Sequence, residues 1–184
     1  LRLVGSEMCI RDSYYDVEEA TKVFKFVSKL TNDRGASRQF ELLEFQFEII
    51  TEILCVKRRS DGKRKHREAH INIPRKNGKS FLAAIIVVYL FFCQRHIFGA
   101  LFILTANTTK QAGELYATVE HFIKTNKTLR RYCKITSSTK TIVRKDNGNK
   151  LMVLSSDADN ADSFNDYVAV LDEIHQAKND EMYG

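Results

Sequence analysis

The residues best suited to chemistry lie at the end of the stretch Ile71–Ser80, which closes with Gly78-Lys79-Ser80. An apolar, β-leaning run enters a turn there, and a long apolar segment of helical length follows. A glycine has no Cβ and therefore lets backbone N–H groups approach a phosphate closely. The N-terminus of the following helix attracts the same anion. This order of residues predicts the closing half of a phosphate-binding loop, with Lys79 on the outer phosphates and Ser80 as a ligand of Mg²⁺.

The loop departs from the complete pattern, because Ile73 stands where the first glycine is expected. A bare Gly-Lys-Ser is common by chance, so a second half of the site is needed elsewhere. The run Tyr167–Glu173 supplies it, as an apolar strand pattern that ends in two acids. In an ATPase site Asp172 would hold Mg²⁺ through water, and Glu173 would orient and deprotonate the attacking water. Two adjacent acids are otherwise an ordinary surface feature, but their combination with a phosphate loop favours an ATPase.

Hydrophobic periodicity predicts the elements that must position these residues. The predicted helices cover Asp16–Leu30 with Asp16 as cap, Glu44–Val56, Lys79–Gln94, and a segment after Asn107-Thr108-Thr109 with an apolar stripe from Ala112 to Ile123. The predicted strands are Ala69–Ile73, Ala100–Ala106, a hairpin around Asn147-Gly148, and Tyr167–Glu173. This order indicates an α/β fold with a mainly parallel sheet, whose ligands bind at the carboxyl ends of the strands.

Composition narrows the class of protein. Hydrophobic residues at 43% and charged residues at 28% are typical of a soluble globular domain, and a net charge of +6 suggests a polyanionic partner. The four cysteines lie far apart without a Cys-x-x-Cys pair, which favours reduced thiols over a metal site or a disulfide framework. The apolar segment Phe81–Cys93 is shorter than the roughly 20 residues that a bilayer requires. A helix buried against a sheet is therefore preferred to a membrane span.

Two stretches have no part in the predicted site. Leu1–Ser13 resembles a translated sequencing adapter, so residues 1–13 are interpreted as a non-native leader and excluded from the fold. The basic stretch Lys57–Arg67 has two interpretations that composition does not separate. It is either a solvated turn on Asp61-Gly62 or a loop that contacts the phosphates of nucleic acid.

The phosphate loop resembles that of a known family, the ATPase domain of the large terminase subunit of tailed bacteriophages. The most specific stretch is Ile73-Pro74-Arg75-Lys76-Asn77-Gly78-Lys79-Ser80. This family characteristically replaces the first loop glycine and carries Arg-Lys-Asn before Gly-Lys-Ser. The departure at Ile73 is therefore a mark of the resemblance.

Three further stretches are similar to motifs of that family, and the similarity runs from about Phe40 to the end of the chain. Phe45-Gln46 looks like the upstream adenine-contacting motif, with Gln46 as the hydrogen-bonding residue. Ala106–Ala112 looks like the segment that follows the next strand, and Val168–His175 matches the second ATPase motif.

The resemblance implies a P-loop NTPase fold of the additional-strand, RecA-like type, with helices flanking the sheet. It also implies a division into an N-terminal helical segment at 14–39 and the ATPase domain at 40–184. ATP and Mg²⁺ are the implied cofactors. The implied catalytic residues are Glu173, Lys79 and Arg75, with Arg75 on the γ-phosphate and the metal between Ser80 and Asp172. The implied ATP-binding residues are Phe45, Gln46, Pro74, Arg75, Lys76, Asn77, Gly78, Lys79 and Ser80.

The family resemblance also implies a biological setting. It is that of a motor in the cytoplasm of the bacterial host, away from any membrane, that drives double-stranded DNA into a procapsid. Its implied partners are the DNA, a small terminase subunit, a portal protein and other copies in a ring.

Some features of the sequence limit how far the properties of the family apply to this chain. The chain has Asp162-Ser163-Phe164 where the family often has a glycine, and it stops at Gly184, before the coupling motif and the nuclease domain. No nuclease activity is therefore expected of it. Two alternatives stay open. One is the ATPase lobe of a DNA helicase of the Asp-Glu-Ala-His type, and the other is a catalytically dead basic DNA-binding fragment.

Overall fold

The computed structural model describes residues 12–30, 42–74, 77–94, 97–106, 109–154 and 166–172. The helices are α1 (Val17–Val27), α2 (Glu44–Cys55), α3 (Lys79–Cys93), α4 (Thr109–Thr125) and α5 (Lys127–Arg131). The strands are β1 (Ser13–Tyr15), β2 (Val56–Arg58), β3 (Leu101–Ala106), β4 (Cys133–Thr136), β5 (Thr141–Arg144), β6 (Lys150–Val153) and β7 (Asp166–Asp172). A single 3₁₀ turn covers Ser137–Thr139 in this part of the chain.

The main sheet has the strand order β4-β5-β6-β3-β7. Strand β3 is parallel to both of its neighbours, β6 and β7. The pairs β4–β5 and β5–β6 are antiparallel, and the loop between β5 and β6 holds the predicted Asn147-Gly148. The predicted α/β class is confirmed, with a mixed sheet whose parallel part surrounds β3. A separate antiparallel pair joins β1 to β2.

Helix α3 lies at the centre of the core. It is apolar on all sides, as expected of a helix buried by its neighbours rather than of a surface helix. It contacts α1, α2, α4 and β7. The stripe predicted for α4 is buried as expected, with Ala112, Leu115, Tyr116, Val119, Phe122 and Ile123 all inside. No helix in the described part of the chain is long and apolar enough to cross a bilayer.

A buried arginine fixes the C-terminal end of α3. Arg144 is only 4% exposed, and its Nη1 donates to the carbonyl oxygens of Phe91 at 2.7 Å and Phe92 at 3.2 Å. Its Nε and Nη2 donate to the carboxylate of Asp146. A cation is favoured at this end of a helix because the last carbonyl groups have no intrahelical partner. Arg144 thereby ties the β5–β6 loop to the helix that begins at the phosphate loop.

Arg144→Ala is expected to lower the free energy of unfolding by roughly 3 kcal/mol, because each buried acceptor left unpaired costs about 1–3 kcal/mol. Urea denaturation followed by circular dichroism measures this loss. Arg130→Ala is the matched control, since Arg130 is exposed on α5 and its removal is expected to change stability by less than about 0.5 kcal/mol. Equal urea midpoints for the two variants would show that the Arg144 contacts add nothing to stability.

Two sequence predictions about the elements need correction. Residues 69–73 do not form a strand, because within the described ranges no strand lies beside them to pair with their backbone. The short elements β1, β2, β4 and α5 are absent from the prediction. In the N-terminal segment, Asp16 caps α1 as predicted, since its Oδ1 accepts from the backbone N–H of Glu19 at 2.9 Å. The assignment of residues 1–13 to a leader stays a prediction.

Candidate functional site

The phosphate loop enters α3 through a left-handed glycine. Gly78 is the N-cap of α3 with φ of 77°, and no side-chain hydrogen bond caps this end of the helix. A Cβ at Gly78 would come within 3.2 Å of the Gln46 Nε2 atom. Glycine is therefore required both by the backbone angle and by the close approach of Gln46. The uncapped helix N-terminus has the geometry of an anion site.

Asn77 and Gln46 shape the loop before this glycine. The backbone N–H and the Nδ2 of Asn77 both donate to the carbonyl oxygen of Pro74, at 3.4 and 3.2 Å, which closes a turn. Gln46 Nε2 donates to the carbonyl oxygen of Asn77 at 3.1 Å, and Gln46 Oε1 accepts from the Leu43 N–H at 3.1 Å. Gln46 is 5% exposed. Its amide therefore connects α2 to the loop, a role that the sequence did not reveal, and its contact with adenine stays a prediction.

The carboxyl end of β7 meets the start of α3. Ser80 Oγ donates to Asp172 Oδ2 at 2.7 Å, and Lys79 Nζ lies 3.6 Å from Asp172 Oδ1. Asp172 is the last residue of β7 and stands beside Ala106 of the parallel strand β3. Its side chain is 9% exposed, whereas that of Lys79 is 29% exposed. The structure thus brings together three of the predicted site residues, which are distant in sequence.

The Ser80 and Asp172 oxygens fit a hard divalent cation. Mg²⁺ binds oxygen ligands at about 2.0–2.1 Å in an octahedron, in which adjacent oxygens lie about 2.9 Å apart, and it usually keeps several waters. Ser80 Oγ could take one corner of such an octahedron, and Asp172 Oδ2, which accepts from Ser80 Oγ at 2.7 Å, could accept from a water on a neighbouring corner. Across the described ranges, no group of three or more His, Cys, Asp or Glu side chains forms a closed metal cage. The pair suits a cation that is shared with a phosphate-bearing substrate.

The remaining predicted residues divide into two groups. Phe45 is half-buried in α2 next to Gln46, and Pro74 is exposed at the loop entrance. Arg75, Lys76 and Glu173 lie outside the described residues, as does the Asn107-Thr108 pair. The predicted γ-phosphate contact of Arg75 and the general-base role of Glu173 therefore stay predictions.

A family model for the ATPase domain of the terminase large subunit matches residues 44–184. The chain belongs to this family. The resemblance drawn from the loop and the second ATPase motif is thereby confirmed, and the chain is an ATPase domain of the terminase type rather than a helicase lobe. The substitution of the first loop glycine by Ile73 is accordingly no argument against the site.

One solved structure shows the same fold. The crystal structure of the HK97 bacteriophage large terminase superposes with a TM-score of 0.73 at 20% sequence identity. The match covers 89% of this chain and 33% of that chain, so this terminase ATPase domain spans about a third of the length of that protein. No curated protein sequence matches the chain.

Proposed function

We propose that this chain hydrolyses ATP with Mg²⁺ and that the hydrolysis drives double-stranded DNA into a phage procapsid. The observation that supports the proposal is the contact of Lys79 and Ser80 with Asp172. It unites a phosphate-binding helix N-terminus with a carboxylate at the end of a parallel strand. This arrangement places a cation, a hydroxyl and a carboxylate around the point where the outer phosphates of ATP would lie.

Each residue has a defined task in this proposal. Lys79 holds the outer phosphates, and its ammonium exchanges the Asp172 carboxylate for phosphate oxygens when ATP binds. Ser80 and Asp172 hold Mg²⁺, which neutralises charge on the phosphates when it is bound. Glu173 accepts the proton of the attacking water, and Arg75 stabilises charge on the γ-phosphate in the transition state.

The loop geometry supports this division of tasks. Asn77 bonds to the Pro74 carbonyl and Gln46 bonds to the Asn77 carbonyl, so the backbone N–H groups of Asn77 and Gly78 are oriented before the substrate arrives. An oriented set of donors need not reorganise during the reaction, which is the main source of electrostatic catalysis. The contact of Gln46 with adenine, which the family resemblance implies, is part of the proposal.

The wider setting follows from the family. The proposed partners are double-stranded DNA, a small terminase subunit, a portal protein and further copies in a ring, in the cytoplasm of the bacterial host. No nuclease activity is proposed for this chain.

Binding of Mg·ATP is expected to stabilise the chain by about 2.7 kcal/mol when ATP is at 100 times its Kd. For a chain of this size, that corresponds to a rise in Tm of about 5–10 °C. Differential scanning fluorimetry with ATP, with and without Mg²⁺, measures the rise, and a phosphate-release assay measures turnover. Chelation of Mg²⁺ with EDTA is expected to remove most of both signals. Neither a Tm rise nor phosphate release with Mg·ATP would favour the alternative of a dead DNA-binding fragment.

A further inference from the structure

A basic cavity lies at the opposite end of α3 from the phosphate loop. Its volume is about 770 Å³, and it is enclosed by the segment that follows α2, the C-terminal end of α3 and the start of β7. Six of its lining side chains are basic, namely Lys57, Arg58, Lys63, Arg64, His66 and Arg67. Among the described residues that line it, Glu19 is the one acidic residue.

Three of these basic groups already have a carboxylate partner. Lys57 Nζ lies 2.6 Å from Asp16 Oδ2 and 3.9 Å from Glu19 Oε2. Burial is the largest single effect and opposes the charged form of Lys57, but the hydrogen bond to Asp16 and the negative charges of Glu19 and Asp16 together outweigh it and raise the pKa of Lys57. Arg58 pairs with Asp61 at 2.5 Å, and His66 Nε2 lies 2.9 Å from a Glu52 carboxylate oxygen. These pairs leave the other three cations to define the charge of the cavity.

Lys63, Arg64 and Arg67 have no carboxylate partner in the described part of the chain. Arg64 is held in place by a neutral group, because its Nη2 donates to the Tyr167 hydroxyl at 3.2 Å and its guanidinium lies 5.7 Å from the ring centroid. Lys63 and Arg67 are exposed at the rim. Like charges gathered around one cavity repel each other, and an anion bound between them relieves that repulsion.

The backbone that carries these cations is fixed before any ligand binds. Lys65 N–H donates to the Val56 carbonyl at 2.8 Å, and Arg58 N–H donates to the Lys63 carbonyl at 2.9 Å. Gly62 supplies the turn with φ of 66°, and Asp61 Oδ1 accepts from the Lys63 N–H at 3.0 Å. The turn interpretation of the basic stretch is therefore correct, and the same turn presents its cations to the cavity.

The cavity is separate from the ATP site. Helix α3 has 15 residues, and a helix of that length spans about 22 Å. Lys79 and Ser80 lie at its first turn, whereas Cys93 and Gln94 line the cavity at its end. A ligand in the cavity therefore has no contact with the nucleotide phosphates.

We propose that this cavity binds the phosphate backbone of DNA during translocation, which rests on the proposed function. Guanidinium groups match phosphate oxygens in geometry as well as charge. The exposed rim formed by Lys63 and Arg67 suits a DNA strand that passes over the protein surface. The inner Arg64 then contacts a phosphate group of that strand that points into the cavity. The cations lie on a fixed turn rather than on an element shaped to enter a groove, so the binding is independent of base sequence.

The test uses the 184-residue chain and a fluorescein-labelled duplex of about 30 base pairs, which is long enough for several phosphate contacts. The cavity variant is Lys63→Glu with Arg67→Glu, and the matched control is Lys127→Glu with Lys134→Glu. Both pairs consist of exposed side chains and change the net charge equally. Fluorescence anisotropy across a salt titration measures Kd, and circular dichroism confirms that each variant is folded.

The wild-type chain and the control are expected to bind with similar affinity and similar salt dependence. The cavity variant is expected to bind at least about tenfold more weakly at low salt, and its log–log salt slope is expected to decrease by about 2, one unit for each lost phosphate contact. If the double charge reversal does not fold, the milder pair Lys63→Gln with Arg67→Gln is measured instead. It is expected to give the same change in salt slope.

Several results would overturn the proposal. An equal loss of duplex affinity in the cavity variant and in the control would show that net charge alone governs binding. Displacement of the duplex by inorganic pyrophosphate at comparable concentration would assign the cavity to a small phosphorylated ligand. A chain that hydrolyses ATP but binds no duplex would refute this proposal and leave the proposed ATPase intact. A chain that binds duplex through the cavity without turnover would refute the ATPase and the role in translocation, but not the phosphate contact itself.

Discussion

Lys79→Ala is expected to abolish ATP turnover and to leave the fold intact. The ammonium group of Lys79 lies 3.6 Å from the Asp172 carboxylate at the mouth of the site, and its side chain is 29% exposed rather than packed in the core. Its removal therefore creates no cavity in the core. Loss of one preorganised charge at the reacting phosphates lowers kcat by about 10²–10³-fold or more.

The measurement is steady-state phosphate release by the wild-type chain and the variant at saturating Mg·ATP, together with the urea midpoint of each. Lys134→Ala is the control, because Lys134 is an exposed lysine on β4 at the other edge of the sheet. Its turnover is expected to equal that of the wild type. Near-normal turnover in Lys79→Ala would show that the loop is not the active site.

Local signals predicted much of the fold. The Asp16 cap, the apolar stripe of α4 and the Asn147-Gly148 hairpin each depend on residues that are close in the sequence, and each is present. The short helix α5 also has a local signal, because Asn126 Oδ1 accepts from the N–H groups of Thr128 and Leu129. It was missed because five residues are too few to show a helical period.

Long-range contacts could not be predicted in the same way. The run 69–73 has a strand-like composition, but a strand also requires a neighbour to receive its hydrogen bonds, and composition carries no information about that neighbour. The bond from Gln46 Nε2 to the Asn77 carbonyl joins residues 31 apart. The motif around Gln46 indicated a ligand contact, whereas its contact with the loop is visible only in three dimensions.

The basic stretch shows a further limit of sequence patterns. The sequence alone presents a turn and a phosphate-contacting loop as two alternative interpretations of this stretch. The hydrogen bonds around Asp61 and Gly62 establish the turn. The cavity that the turn helps to enclose depends on Cys93 and Tyr167, which are distant in sequence, so a contact with phosphate is a property of the tertiary structure and is compatible with the turn.

The acids at the end of β7 are expected to have different tasks, and two amide substitutions separate them. Asp172 accepts a hydrogen bond from Ser80 Oγ, and the proposal assigns the metal to Asp172 and the attacking water to Glu173. Glu173→Gln keeps the size of the side chain and removes the proton acceptor. This variant is expected to bind Mg·ATP normally and to hydrolyse it about 10²–10⁴ times more slowly, which is the usual effect of losing a general base.

Asp172→Asn is expected to weaken the binding of Mg·ATP rather than to slow only its hydrolysis. An asparagine at this position keeps an oxygen that accepts from Ser80, so the 2.7 Å contact persists. It loses the charge that attracts both Lys79 and the cation, so the Mg²⁺ dependence of ATP binding is expected to weaken. The measurement is ATP affinity and kcat for both variants across a Mg²⁺ titration. If Glu173→Gln turns over at the wild-type rate, or loses ATP binding as severely as Asp172→Asn, another residue is the base.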